Sequence, residues 1–357
     1  MTRPTRVLID TEALRHNLRR VREAAPDSRT MAVIKADGYG HGLLRAARAF
    51  ADADAFGVAC VEEGLLLRRG GFDKPIVLLE GTFEAGELGP VAANGLELVV
   101  HCAEQIDQLA TVAHAPPLDV WLKVDTGMHR LGFAPGEIAA AYERLRGLAA
   151  VGEVRLMTHL GYADDPRDGR TAEQLAAFAE AAAGLEVERS AANSGGALGW
   201  PEAHLDWVRP GLALFGASPF SDGDGAALGL KPAMTFATRL IAVKRLRRGD
   251  AVGYGGTWVC PEDMPVGVAA VGYGDGYPRH ARNGTPVLVN GERVPLVGRV
   301  SMDMICLDLR AQPHANLGDD VVLWGGGLPA EEVARHADTI AYELFCGITA
   351  RVPIDEV

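Results

Sequence analysis

Met31-Ala32-Val33-Ile34-Lys35-Ala36-Asp37-Gly38-Tyr39-Gly40-His41-Gly42 is the stretch on which the reading of this chain turns. Residues 31–34 are four apolar positions in a row, partly β-branched, which predicts a short buried strand. Gly38, Gly40 and Gly42 interrupt that pattern, and residues 43–50 resume it at helical spacing. Lys35 therefore stands at the carboxyl end of a strand that feeds a turn and then a helix. In α/β proteins that end carries the chemistry. A lysine is rarely placed deep in a core unless it is paired or covalently used. The alternative is a lysine that snorkels to the surface.

Working outward, residues 11–24 read as a helix capped by Asp10, with Leu14, Leu18 and Val21 on one face. After Lys35, strand-like and helix-like runs alternate. Residues 55–59 lead into 61–69, 75–79 into 84–94, 96–100 into 103–113, and 118–124 into 135–148. Residues 154–159 lead into 171–183 and 187–192 into 194–198, and a last run is Trp207-Val208. Counted from Met31, eight strand candidates precede residue 212. Continuous apolar strands alternating with helices imply a parallel sheet, and eight such units predict a closed (β/α)8 TIM barrel.

Beyond Lys231-Pro232 the pattern changes to short strands between Gly, Pro and Asp turns, at 235–243, 266–271, 286–289, 304–309 and 320–323. A short helix is predicted at 330–337. The expected organisation is an α/β barrel domain over 1–230, a linker at 219–229, and a smaller, mostly β C-terminal domain over 231–357.

The 357 residues are 48% apolar, enough for a sizeable core, and only 6% aromatic, so packing rests on Val, Leu, Ile and Ala. A net charge of −12 argues against nucleic acid as a partner. The five cysteines, Cys60, Cys102, Cys260, Cys306 and Cys346, show no Cys-x-x-Cys spacing. They predict reduced thiols, neither a disulfide scaffold nor a metal site. No signal peptide pattern and no apolar stretch of about 20 residues is present, so the expectation is a cytoplasmic protein that does not cross a membrane.

If the barrel is correct, functional residues follow its strands. Strand ends carry Lys35 and Tyr39; Lys123 through Arg130; Thr158-His159; Asn193-Ser194-Gly195-Gly196; and Arg209-Pro210-Gly211. Singly, each has a structural reading: His159 as a hydrogen-bonded core histidine, Arg209 as an ion-pair member, Ser194 as a helix cap. Their coincidence at one rim points to a shared site. Asn193-Ser194-Gly195-Gly196 opens a helix directly after a strand and offers amides and a hydroxyl to an anion. Barrels recurrently hold phosphate in the loops after strands seven and eight. A phosphate site beside a strand-end lysine suggests pyridoxal 5'-phosphate held as a Schiff base.

Lys35-Ala36-Asp37-Gly38-Tyr39-Gly40-His41-Gly42 resembles the cofactor-lysine signature of alanine racemases. The resemblance continues through Lys123 to Gly132, His159, Asn193-Ser194, Arg209-Pro210-Gly211, Gly253-Tyr254-Gly255, Gly272-Tyr273-Gly274-Asp275-Gly276 and Gly298-Arg299-Val300-Ser301-Met302-Asp303, to Tyr342 and Arg351-Val352-Pro353. It covers nearly the whole chain. By this resemblance Lys35 bonds the cofactor; Tyr39, Asn193, Ser194, Gly211, Leu212 and Tyr342 belong to its binding site; Arg130 approaches the phenolate oxygen and Arg209 the pyridine nitrogen. Lys123 matches a position often carbamylated in the family.

Racemisation removes a proton from one face of the α-carbon and delivers one to the other, so two acid/base groups are needed. The family supplies them as the equivalents of Lys35 and Tyr254, the latter from the partner subunit of a homodimer. His159, linked to Arg209, is the expected positive neighbour that lowers the phenol's pKa. Met302, by a backbone amide from the partner subunit, and Arg130, from the cofactor's own chain, are expected to contact the substrate carboxylate, and Tyr273 and Tyr342 to narrow the entrance so that it favours alanine. Two other readings exist. A single-barrel pyridoxal-phosphate carrier would not need Tyr254 or Met302, and a barrel-type decarboxylase would want an acidic partner where Arg209 stands.

Overall fold

The computed structural model describes residues 3–111 and 117–357, which form two compact units. One comprises Arg15–Leu214 with Pro219–Asp222; the other comprises the stretch up to Leu14, Phe215–Ser218 and Gly223–Val357.

β1 (Arg6–Ile9) precedes the barrel strands, which are β2 (Arg29–Val33), β3 (Ala55–Val58), β4 (Ile76–Leu78), β5 (Glu97–Val100), β6 (Leu118–Lys123), β7 (Val151–Met157), β8 (Arg189–Ser190) and β9 (Trp207–Val208). Each pairs in parallel with the next, and β9 returns to β2 through Arg29↔Trp207 and Thr30↔Val208, closing the barrel. Every residue of β3, β4 and β5 is buried, as expected of a parallel sheet covered on both faces. Met31, Ala55, Val77, Val99, Trp121, Met157 and Trp207 pack into one core cluster. The Trp121 and Trp207 rings meet edge to face at 5.8 Å. β7 starts before the expected residue 154, and β8 is shorter than the expected 187–192. The helix expected at 103–113 is Ala103–Ala110, and its expected end lies outside the described residues.

The second unit is built on β10 (Met234–Leu246), followed by the hairpin β11 (Ala251–Val252) and β12 (Trp258–Val259). Then come β13 (Met264–Ala269), β14 (Pro286–Val289), β15 (Glu292–Val297), β16 (Ile305–Asp308), β17 (Asp320–Trp324) and β18 (Ile354–Glu356). The first half of β10 lies between β1 and β17. A register shift between Leu240 and Ala242 then turns its second half onto β13. Pairings β13–β16–β15–β14–β17–β10 return to β13, so the ladder makes a circuit. β14 and β15 are joined by Asn290-Gly291, both at positive φ (51° and 84°), as a two-residue hairpin requires.

One expectation is corrected here. Residues 1–230 were assigned to the barrel domain, but β1 pairs antiparallel with β10 and parallel with β18 in the β-rich unit. Its alternation is the reason: Val7 and Ile9 are fully buried while Arg6 is exposed. That period of two suits a sheet covered on one face, unlike the continuously buried barrel strands. The five cysteines are free. Among the described residues no helix is long and apolar enough to cross a membrane.

Candidate active site

The chain leaves β2 through Ile34 and Lys35 into a left-handed turn. Ala36, Asp37, Gly38 and Tyr39 have φ of 53°, 53°, 61° and 52°. Left-handed backbone costs a non-glycine residue about 1–2 kcal/mol, and three of these four are not glycine. Gly38 suits the turn twice, because a Cβ there would also lie 2.9 Å from that of Ala46. Hydrogen bonds hold the shape. Gly38 donates its amide to Ile34 O at 2.9 Å, and Leu43 donates to Asp37 Oδ1 at 2.7 Å, which caps the helix Leu43–Ala49.

This turn carries Tyr39 inward, where it is buried with its hydroxyl against Gly211; any side chain at 211 would collide with it. Ser194 Oγ accepts the amides of Gly211 and Ala213 at 2.9 and 3.2 Å. Tyr39, Ser194, Gly211 and the buried Leu212 therefore converge. Asn193 has a different part. Its Oδ1 accepts the Gly196 amide and its Nδ2 donates to Leu160 O, both at 3.0 Å, so it shapes this loop through the backbone.

Beside this cradle lie cations. Lys123, the last residue of β6, is buried and pushed down to about 8 by desolvation, then by Arg209, Arg130 and Lys35. Arg209 is 4% exposed and, among the described residues, has no carboxylate on its guanidinium. It donates to Ser190 Oγ and Thr158 O, each at 2.6 Å, and lies 3.5 Å from His159 Nδ1. Burial lowers it to about 10. His159 is held well below its ordinary pKa by burial, then by Arg209, Lys123, Arg130 and Lys35. Burial and these cations disfavour the imidazolium form of His159, and the guanidinium of Arg209 is the cation beside it. Lys123, Arg130 and His159 line one small cavity with Asp125 and Met128.

Several residues here carried no sequence signal. Buried Gln174, on the helix Arg170–Ala181, donates to His159 O and accepts the Gly161 amide at 2.9 Å, fixing the backbone on both sides of Leu160. Thr158, already marked by its place at a strand end, shares a hydroxyl hydrogen bond of 2.8 Å with Thr126. His101 follows β5 at the same rim, and burial and then Lys123 lower its pKa, partly against its bond to Glu80 O. Only its position just past a strand end could have singled it out.

The remaining predicted residues lie in the β-rich unit. Tyr254 sits between β11 and β12 and is 69% exposed, so it is not a packed turn aromatic. Tyr273 donates its amide to Ser301 O at 3.0 Å, and Gly274 donates to Met302 O at 2.9 Å. These bonds bring Tyr273 and Met302 together, both exposed. The same segment reaches the Tyr254 turn, where Arg299 lies against Gly253 and Gly255. Tyr342 is on the short helix Ala341–Cys346.

One rim of the closed parallel barrel thus gathers a strand-end lysine, the Tyr39–Ser194–Gly211 cradle and buried cations. Residues 9–219 match the family model described as alanine racemase, N-terminal domain, and residues 233–355 match alanine racemase, C-terminal domain. The alanine racemase of Nitrosococcus oceani is 60% identical, covering 97% of each chain, and the biosynthetic enzyme of Escherichia coli is 51% identical, covering 98% of each. The crystal structure of the biosynthetic alanine racemase from Pseudomonas aeruginosa matches with a TM-score of 0.97 at 44% identity over the whole of both chains. The chain belongs to the alanine racemase family and is an isomerase.

Proposed function

We propose that this chain interconverts L- and D-alanine with pyridoxal 5'-phosphate and two proton-transfer groups. The observation that carries the reading is the gathering of Lys35, Lys123, Arg130 and Arg209 at the barrel rim beside the Tyr39–Ser194–Gly211 cradle. A ligand with a phosphate and a phenolate fits that donor set, because it supplies the negative charge the cations lack. When bound, it withdraws electrons from an amino acid attached to it and so acidifies the α-hydrogen.

Lys35 would hold the cofactor covalently. Tyr39, Ser194, Gly211, Leu212 and Tyr342 would hold the phosphate, Asn193 shaping the loop that presents it. Arg130 would approach the phenolate and Arg209 the ring nitrogen. With a pKa of about 10, Arg209 stays charged at neutral pH and donates a hydrogen bond without releasing its proton. Lys35 would move the proton on one face of the substrate. Tyr254 from a second copy of the chain would serve the other, in a homodimer with shared sites. Its exposure supports that use. A free phenol near pKa 10 is a poor base at neutral pH. Neutral His159, its Nδ1 turned to Arg209, leaves Nε2 to meet the phenol and relay the arginine's charge.

Arg130, with the backbone amide of Met302 from the second copy, would bind the substrate carboxylate, while Tyr273 and Tyr342 would restrict the side chain. Carbamylation of Lys123 would convert a costly buried cation into an anion able to orient Arg130. The relatives described as biosynthetic favour a cytoplasmic role in supplying D-alanine for peptidoglycan over one in alanine catabolism.

The test is a chiral assay of purified protein on L-alanine and L-serine, with and without added cofactor. D-alanine formation that requires the cofactor is expected, and its absence would end the reading. Tyr254→Phe should leave the absorbance of bound cofactor unchanged and slow both directions by about 10²–10⁴. Turnover equal to the parent would refute the two-base assignment.

A further inference from the structure

We propose that Glu63 is a positioning residue that sets the direction in which Lys35 points. This rests on Lys35 being the cofactor lysine. Glu63 lies in the first turn of the helix Val61–Arg69, and its two carboxylate oxygens accept two different amides. Oε1 takes the Ala36 N–H at 2.7 Å, and Oε2 takes the Ala59 N–H at 2.8 Å. Ala59 is the residue after β3, and Ala36 is the first residue of the left-handed turn.

The backbone ladder between β2 and β3 runs out at this level, its last rung being the Ile34 amide on Gly57 O at 2.9 Å. Glu63 continues it with a side chain. The Ala36 N–H belongs to the peptide plane that joins Lys35 to Ala36, so fixing that N–H fixes ψ of Lys35 and hence the bearing of its Cβ. A carboxylate makes stronger hydrogen bonds to amides than a neutral acceptor does. A helix cap alone would need only the bond to Ala59, which lies beside the helix start. The second bond, 27 residues back in sequence, goes to the one peptide plane the lysine shares with a strained turn.

Glu63→Gln keeps the shape but turns an NH2 donor toward one of two amide donors; Glu63→Ala removes both bonds. Glu62→Gln, on the exposed side of the same helix, is the control. Three quantities are read. The first is amide hydrogen exchange over residues 35–42 in protein stripped of cofactor. The second is the rate at which added pyridoxal 5'-phosphate bonds Lys35, trapped with borohydride and weighed by mass spectrometry. The third is kcat and KM for alanine. Both Glu63 variants should exchange Ala36 roughly ten- to a hundredfold faster, the range expected for a lost charge-assisted bond. Capture and kcat should fall about tenfold or more, with KM changed by less than about twofold, because a small displacement of a reacting group costs rate more than affinity. Glu62→Gln should match the parent. Unchanged Ala36 exchange and capture in both Glu63 variants would overturn the proposal, as would a kcat loss with Ala36 protection intact. If the parent chain fails to take up the cofactor, the functional reading falls, while exchange at Ala36 still decides what Glu63 does.

Discussion

The two ends of the barrel are made from the same strands, read at every second residue, yet they treat charge in opposite ways. The inward series run Arg29-Met31-Val33-Lys35, Glu97-Val99-His101, Asp119-Trp121-Lys123, Arg155-Met157-His159 and Trp207-Arg209. At the amino end the four charged residues of these series, Arg29, Glu97, Asp119 and Arg155, are all paired. Arg155 pairs with Glu97 at 3.3 Å, Glu188 at 3.1 Å and Asp119 at 3.6 Å, and Arg29 pairs with Glu188. Trp121 and Trp207 donate to Glu97 and Glu188 at 2.7 and 2.9 Å, with Arg155 and Arg29 over their rings. An apolar layer follows. At the carboxyl end burial lowers Lys123, His159 and Arg209 alike; Arg209 further lowers Lys123 and His159, Lys123 further lowers His159, and Asp125 opposes the shift on Lys123. Neutralised charge locks the fold at one end, and unneutralised charge waits for an anion at the other. That separation is the usual compromise between stability and function, laid out along a single axis.

The sharpest way to break the comparison is to remove the lysine itself. Lys35→Ala should cost activity by about 10⁴-fold or more, since it deletes both a covalent attachment and a proton carrier. The cofactor-free protein should melt no lower than the parent, because one repelling cation has gone. A marked fall in its melting temperature would mean that this end also supports the fold.

Arg155→Leu is the matching change at the other end. It leaves Glu97, already pushed up by burial, without its cation. Breaking a buried pair from one side costs about 3–5 kcal/mol. The denaturant midpoint should fall accordingly, with kcat per folded molecule unchanged. A kcat loss at constant stability would erase the distinction between the two ends.

Much of this was legible in the sequence, and what escaped has a common cause. Lys35, Lys123, His159 and Arg209 stand where an apolar run stops, and a run that ends in a charge is a local signal. The barrel followed from runs of the same kind. β1 was misassigned because its partners, β10 and β18, are more than 200 residues away, and only its alternation hinted at a different sheet. The left-handed turn at Ala36–Tyr39 was read simply as a glycine-punctuated turn, since three of its four residues ordinarily avoid that backbone. Glu63 and Gln174 looked like ordinary helix residues because their partners are mainly main-chain atoms, which leave no trace in side-chain pattern. His159 was found, but its charge state depends on burial and on four cations that only the fold assembles.

The smallest predicted effect concerns pH and gives the two ends opposite signs in cofactor-free protein. Lys123 falls from an ordinary 10.5 to about 8 on folding. Between those values the unfolded chain keeps a proton that the folded chain has released, so stability rises with pH across that window, by on the order of 3 kcal/mol in total. Burial raises Glu97 instead, so just above its ordinary 4.5 the folded chain holds the extra proton and stability falls as pH rises. Other groups titrate in alkali, Tyr277 among them, so the parent is compared with Lys123→Met by denaturant unfolding. Carbonate-free buffer keeps Lys123 an amine. The variant should be the more stable near pH 7, and the gap should shrink steadily as pH approaches 10.5. A gap independent of pH would show that Lys123 is not a buried cation held against its neighbours, and the contrast between the two ends would lose its electrostatic basis.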